Sequence, residues 1–454
     1  MVSIVLAEAL LPEGWAENVR LVIEGGLIAA VQPGAIATPD DERHAIGIPG
    51  LPNLHSHAFQ RGMAGLSEVR GPAADSFWTW REVMYRFLDA MTPDDMEAVC
   101  AQAYVEMLEG GFTRVGEFHY LHHDRNGQPY AEPSEMAQRV GAAAAFTGIG
   151  LTLIPVFYAH GGFGGVPPTH GQRRFINSLD GFARLLEASR RVVATLDGGV
   201  LGVAPHSLRA VTPEELAAVT GLLPDGPVHI HVAEQLREVE DCLAWSGVCP
   251  VDWLLDHAPV DGRWCLIHAT HMTPGETGRL AGSGAVAGLC PTTEANLGDG
   301  IFPGADWLAA HGRYGVGTDS NVATDAAQEL RQLEYAQRLR QQARNLMAGE
   351  PGTSTGKALF TASLQGGAAA VGVGPSGLQA GAAADFVTLR AGHPCLVHRH
   401  GDRLLDGWIF GGARRVVDGV WVRGRQRVAD GRHVAREPVA ARYAETMRRL
   451  MAAW

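Results

Sequence analysis

Lysine is almost absent from this 454-residue chain: of 37 basic residues one is a lysine, Lys357, and the rest are arginine. Against 49 Asp and Glu they leave a net charge of −12. They form no basic cluster, which excludes nucleic acid or an anionic membrane surface as the main partner. Cysteine is sparse too, and the six present (Cys100, Cys242, Cys249, Cys265, Cys290 and Cys395) include no CxxC pair. Most lie in apolar stretches such as Trp264-Cys265-Leu266-Ile267, the pattern of buried free thiols and not of a disulfide framework or a zinc knuckle. Residues 1–15 have no basic leader and carry Glu8 and Glu13, so no signal peptide is expected and the protein is expected to be cytoplasmic. Between Arg139 and Arg173 there is no Lys, Arg, Asp or Glu, a stretch long enough to span a bilayer. It is rich in alanine and glycine, contains Pro155 and ends in the run His160 to Gly165, so a buried helix end followed by a buried strand is expected there. Disorder is excluded by a hydrophobic content of 46%, ample for a large core.

What is present is a recurrence of short apolar runs: Ile48–Leu54, Thr113–Phe118, Gly150–Tyr158, Leu201–Ala204, Val228–Val232, Trp264–His268, Ala285–Leu289 and Tyr314–Thr318. Several are too uniformly apolar for one-sided strands, as expected when both faces of a parallel strand are buried. Helical patterns such as Pro93–Leu108, Pro213–Leu223 and Asp325–Leu346 separate them. Strand and helix in alternation predict an α/β fold, and eight repeats favour a closed (β/α)8 TIM barrel, here residues 48–379. The ends differ. Residues 1–47 and 380–454 hold short β-like pieces with turn glycines (Arg20–Glu24, Asp385–Arg390, Arg415–Val422) and are expected to pair into one small β-sandwich domain. Tyr443–Ala453 reads as a closing helix.

In such a barrel catalytic side chains sit at the C-terminal ends of the strands. The first strand ends in His55-Ser56-His57, whose spacing of two puts both imidazoles on one face, able to share a metal. The fifth ends in His229-Ile230-His231-Val232-Ala233-Glu234, the sixth in His268 and the eighth in Asp319. Imidazoles with one carboxylate suit zinc with a position left for water, and iron or another divalent ion is also compatible. Any one of these histidines alone would be an ordinary core residue; the joint pattern is what points to a metal centre.

The set resembles the amidohydrolase superfamily. Pro49-Gly50-Leu51-Pro52-Asn53-Leu54-His55-Ser56-His57 looks like its first-strand signature and Gly315-Val316-Gly317-Thr318-Asp319-Ser320 like its eighth. Gly377-Leu378, Gly381 and Ala384-Asp385-Phe386 resemble the return into its split β domain. The resemblance implies one divalent metal per chain, held by His55, His57, His231 and Asp319. A bridge by carboxylated lysine is excluded, since Lys357 lies beyond the eighth strand; Glu117, after the second, is the one carboxylate that leaves a bridge open. His231-Val232-Ala233-Glu234 is similar to the HxxE of the superfamily's deaminases. The loops His57–Arg61, Trp80–Glu82, Glu117–Tyr120 and His206–Arg209 resemble those of its branch acting on a linear formimino dicarboxylate. This implies hydrolysis of N-formimino-L-glutamate to N-formyl-L-glutamate and ammonia, as in histidine degradation, with Gln60, Arg81, Tyr120, His206 and Arg209 binding substrate. Two arginines suit a dicarboxylate because each offers a permanently charged planar fork. On this reading His268 is the general base, Asp319 orients the water, and Glu234 delivers a proton to the leaving nitrogen. Arg61 and His229 are expected to be structural, and a homodimer is implied by the resemblance alone. The rival readings are a deaminase of a heterocycle such as guanine, which would favour stacking aromatics, and a metal-free scaffold barrel.

Overall fold

A computed structural model describes residues 2–72, 74–412, 415–452 and 454. The barrel strands are, in order, Leu51–Ser56, Phe112–His119, Gly150–Phe157, a fourth in two pieces (Val200–Leu201 and Ala204–Pro205), Val228–Val232, Trp264–His268, Val286–Leu289 and Arg313–Val316. Strands one to four pair in parallel, and so do five to eight. Parallel bridges Val203–Val228 and Ser207–His231 join the two arcs on one side, and Ser56–Asp319 joins them on the other. The barrel is therefore closed, and its closure places the ends of strands one, five and eight side by side. Every residue of strands one, two, three, five, six and seven is buried, because side chains alternate between the barrel interior and the surrounding helices.

The first apolar run is divided where the sequence suggested one strand. Glu42–Pro49 belongs to the flanking sheet and Leu51–Ser56 to the barrel. Gly50 marks the switch: its N–H donates to the Asp385 carbonyl at 3.0 Å, and a Cβ there would collide with the Thr113 side chain. The charge-free stretch forms the end of helix Glu135–Thr147 and the third barrel strand, as expected. Among the described residues no helix is long and apolar enough to cross a membrane. The helix expected at Asp325–Leu346 runs from Ala326 to Gln341, with the Asp325 side chain accepting from Gln328 N–H at its start.

Both chain ends contribute to one eight-stranded sheet, joined where Glu42–Pro49 pairs antiparallel with Phe386–Leu389. It is a single curled sheet: its edge at Leu27 bridges back to Ala383, with Ile28 N–H donating to Ala382 O at 2.9 Å. Curling lets the two halves face one another over a small core that includes Leu6, Leu21, Leu378 and Phe386, with Phe386 stacked on Trp421 at 4.7 Å. The closing helix begins earlier than the sequence suggested, at Arg436, and runs to Ala452; Ala453 lies outside the described residues. It packs on barrel helix Pro93–Glu109.

Helix Thr355–Ala370 packs closely under strands one and eight, and glycine makes that approach possible. A Cβ on Gly366 would overlap the Tyr314 carbonyl, with the strand-eight backbone unable to yield. Gly366→Ala is expected to lower stability by about 1–3 kcal/mol through overpacking, measured by chemical denaturation.

Candidate active site

The histidines that end strands one and five converge. One ring nitrogen each from His55, His57 and His231 lies within 4.8 Å of the others, and all three residues are buried. His57 Nδ1 is 2.9 Å from the Phe118 carbonyl and His231 Nδ1 is 3.0 Å from the His206 carbonyl. Each ring therefore donates outwards from Nδ1 and presents Nε2 inwards, the arrangement that fixes metal-ligating imidazoles. Asp319 completes the group, its Oδ1 3.6 Å from His55 Nε2 and 3.3 Å from His57 Nε2. Burial pushes His55 down to about 3 and lowers His57 and His231 as well, so all three are neutral and free to ligate. The adjacent imidazoles hold the Asp319 carboxyl well below its usual range despite its burial. Three neutral imidazoles with one carboxylate fit a single zinc-like dication.

The signatures at both strand ends also tie these elements together. Asn53 Nδ2 donates to Thr318 Oγ1 at 2.6 Å, and Asn321 Nδ2 donates to the Asp319 and His57 carbonyls at 2.9 and 3.1 Å. Asp319 and His268 occupy the left-handed region, with φ of 44° and 70°, and so does Ala233 at 51°. Such backbone costs on the order of 1–3 kcal/mol each for a non-glycine residue and clusters where side chains must be aimed.

Beside the metal-competent group stands a proton-handling set. His268 Nε2 is 3.7 Å from Asp319 Oδ2 and 3.6 Å from Glu234 Oε1. Its Nδ1 is 3.3 Å from Glu294 Oε1. Burial alone would lower His268, but Glu234, Glu294 and Asp319 outweigh it and raise the ring to about 10. Glu234 is pushed by burial up to about 7, against the pull of His268 and Arg209, which suits a group that gains and loses a proton near neutrality. Glu238 stands behind it, accepting the Ala233 and Glu234 N–H groups at 3.2 and 3.1 Å.

His57, His231, Glu234, His268 and Asp319 line a pocket together with Gln60, Arg81, Tyr120, His206 and Arg209. Arg209 Nη2 lies 3.9 Å from both Glu234 Oε2 and Glu238 Oε2. The Nε atoms of Arg81 and Arg209 and the Oε1 of Gln60 are buried without a hydrogen-bond partner. Gln60 Nε2 donates to Tyr120 Oη at 2.8 Å, and burial keeps His206 neutral. The guanidinium groups of Arg81, Arg209 and Arg237 surround the Trp78 ring at 4.7, 5.8 and 4.9 Å; Arg81 and Arg209 also line the pocket and give it a cationic side.

Of the site residues singled out from sequence, all but His55 line this pocket, and His55 is buried against His57 and His231 beside it. Arg61 pairs instead with Glu106, and His229 Nε2 bonds the Ala370 carbonyl at 2.7 Å, outside the pocket. Glu117 belongs to neither metal-competent group found among the described residues; it accepts the Ala58 N–H at 2.7 Å. Burial raises this carboxyl from about 4.5 to about 8. A buried acid that must ionise within the fold loses stabilising effect as pH rises from the unfolded to the folded value. Denaturation curves should accordingly show Glu117→Gln gaining stability relative to the parent between about pH 5 and pH 8; a constant difference would contradict this environment.

Sequence reasoning missed Glu238 and Glu294, which lack a strand-end position, and the aromatic wall of Phe77, Tyr85, Tyr158 and Phe175. Glu294 sits three residues beyond Pro291 on the short helix after strand seven, and only the acid at that spacing hinted at it. Trp80 and Tyr120 line the pocket with these aromatics, whereas Phe118 packs behind His55 and His231.

Residues 46–427 match the model of the Amidohydrolase family, and residues 1–45 match that of "Formimidoylglutamate deiminase HutF, N-terminal domain". The chain is 49% identical over 453 residues to formimidoylglutamate deiminase of Pseudomonas aeruginosa, spanning 99% of this chain and 100% of the relative. It is 29% identical over 339 residues to 8-oxoguanine deaminase of the same organism, spanning 70% and 72%. Among solved structures it matches an amidohydrolase from Brucella melitensis with TM-score 0.97 and 58% identity, over 99% and 100% of the two chains. An adenosine deaminase from Xanthomonas campestris with bound zinc shares the fold, with TM-score 0.82, 21% identity and coverage of 99% and 98%.

Proposed function

The chain belongs to the amidohydrolase family, and from that premise we infer that it hydrolyses N-formimino-L-glutamate to N-formyl-L-glutamate and ammonia, a step of histidine degradation. One observation carries the reading: two arginines with unpartnered Nε atoms line one pocket with His57, His231 and Asp319 of the metal-competent group. A dicarboxylate needs such fixed cations, and burial makes them discriminating because an uncharged competitor leaves them unpaired. A heterocycle deaminase would use the aromatic wall but not both arginines, and a scaffold would have no need of a complete ligand set.

The four ligands would hold one divalent ion, with zinc the best match to the donors. When bound, such an ion lowers the pKa of water and, by its charge, disfavours imidazolium at His268. Arg81 and Arg209 take the substrate carboxylates, with Gln60, Tyr120 and His206 completing the pocket. Asp319 orients the water through the oxygen that faces His268, and His268 accepts its proton at Nε2. Oxygen adds to the formimino carbon as Glu234 passes a proton to nitrogen. His268 then gives that nitrogen the proton it took from water, Glu234 takes back the proton of the new C–OH group, and C=O forms as the C–N bond breaks to release ammonia. Glu294, bonded at Nδ1, keeps the His268 ring aimed at Asp319. Residues 48–379 form the catalytic barrel on this reading, with residues 1–47 and 380–454 flanking it; the enzyme acts as a cytoplasmic homodimer.

Ammonia release from N-formimino-L-glutamate, guanine, 8-oxoguanine and cytosine tests the assignment. Turnover of the linear substrate alone is expected, together with about one metal per chain, loss of activity on chelation and recovery with a divalent ion. Turnover of a heterocycle alone would reject the substrate, and a metal-free, inert chain would favour the scaffold.

A further inference from the structure

A second metal-competent group, which the proposed chemistry leaves without an ion, borders the pocket: His268 and Asp319 line it and Cys290 is fully buried beside them. His268, Cys290 and Asp319 are 1%, 0% and 5% exposed, and one donor atom from each lies within 4.8 Å of the others. Asp319 is placed to serve two ions at once. Its Oδ1 faces His55 and His57, whereas its Oδ2 lies 3.7 Å from His268 Nε2. Because Glu294 occupies His268 Nδ1 at 3.3 Å, Nε2 is the ring atom left to ligate. Cys290 directly follows strand seven, so this sulfur reaches the same end of the barrel as the histidines. Glu234 Oε1, 3.6 Å from His268 Nε2, is a further oxygen at the edge of the group.

A thiolate, an imidazole and a carboxylate form a donor set for zinc or a softer dication and a poor one for magnesium or calcium. We propose that His268, Cys290 and Asp319 form a second, inhibitory site for a thiophilic divalent cation such as Zn²⁺ or Cd²⁺, sharing Asp319 with the first. Binding replaces the S–H bond of Cys290 by a sulfur–metal bond and releases the proton to solvent, with no change of oxidation state. The ion then occupies His268 Nε2 and Asp319 Oδ2, the two atoms that handle the proton of the attacking water. Inhibition, though not binding, rests on the roles proposed above. The consequence is an enzyme that needs one equivalent of metal and is switched off by a second.

The test is a Cd²⁺ titration of full-length enzyme already carrying one metal per chain. A second equivalent should bind with the ultraviolet charge-transfer band of a cadmium–thiolate bond while turnover falls. In Cys290→Ala the band should vanish and the inhibitory Cd²⁺ concentration rise at least about ten-fold, since even outer-sphere partners of a metal are worth about 10–100-fold. Basal turnover should be unchanged. Cys290→Ser, closer in volume to the parent residue, should give the same loss of the band if the alanine variant folds poorly. No second equivalent, no thiolate band, a band that survives in both variants, or equal inhibition of parent and variant would each overturn the site. Because the band is read without substrate, a wrong substrate assignment leaves this result standing, so the two failures are distinguishable.

Discussion

Asp319→Asn is expected to lower turnover of N-formimino-L-glutamate by at least about 10³-fold, the largest effect of any single substitution here. Three features of the carboxylate add up. One oxygen faces His55 and His57, the other faces His268, and the backbone beneath is pinned to strand one by Asn321 and by the His55 carbonyl. Asparagine preserves the shape and removes the negative charge, so metal affinity and the orientation of water are lost together. Steady-state kinetics with metal analysis of the purified variant measures both. A variant that keeps one metal and near-normal turnover would reject the assigned role of Asp319.

Arg209→Ala is the second. Truncating one partner of a buried charge pair costs about 2–5 kcal/mol, or roughly 30- to 5,000-fold in kcat/KM. From sequence alone the loss would fall mainly on substrate binding. The structure adds a catalytic component, because Arg209 lies between Glu234 and Glu238, 3.9 Å from each. Removing the guanidinium takes away one of the charges that oppose burial at Glu234 and drives that acid further above 7. Both kcat and KM should therefore change in Arg209→Ala. Arg81 Nε has no hydrogen-bond partner, so Arg81→Ala should raise KM with kcat largely preserved. A normal kcat/KM for Arg209→Ala would remove it from the anion site.

How far the fold was legible follows from what each element requires locally. Barrel strands buried on both faces must be apolar throughout, so their positions stood out, and the histidines and aspartate that interrupt their ends stood out by contrast. The weakest strand was the fourth, two short pieces around Gly202 and Val203 held by bonds to strand three and to residue 227. Its pairing is set by neighbours, not by its own residues. The division at Gly50 was hidden for a similar reason. Apolar residues on either side of a glycine look like one strand until it is known that Pro49 pairs with Phe386 and Leu51 with Phe112.

The same distinction runs through the site. The metal-competent histidines of strand one were legible in the sequence, since the spacing of two in His55-Ser56-His57 is a local geometric fact, and the lone lysine excludes a lysine-bridged pair of metals. The sequence by itself determined the metal-competent set, the barrel that presents it and the two arginines suited to a dicarboxylate. Only the tertiary structure decided which groups restrain those residues. Glu294 behind His268, Glu238 behind Arg209 and Glu234, and Cys290 beside Asp319 come from different barrel segments, and no local pattern records such pairings. Charge interaction and burial act through space, so the protonation of Glu234 and His268 depends on chain segments that meet only when the barrel closes.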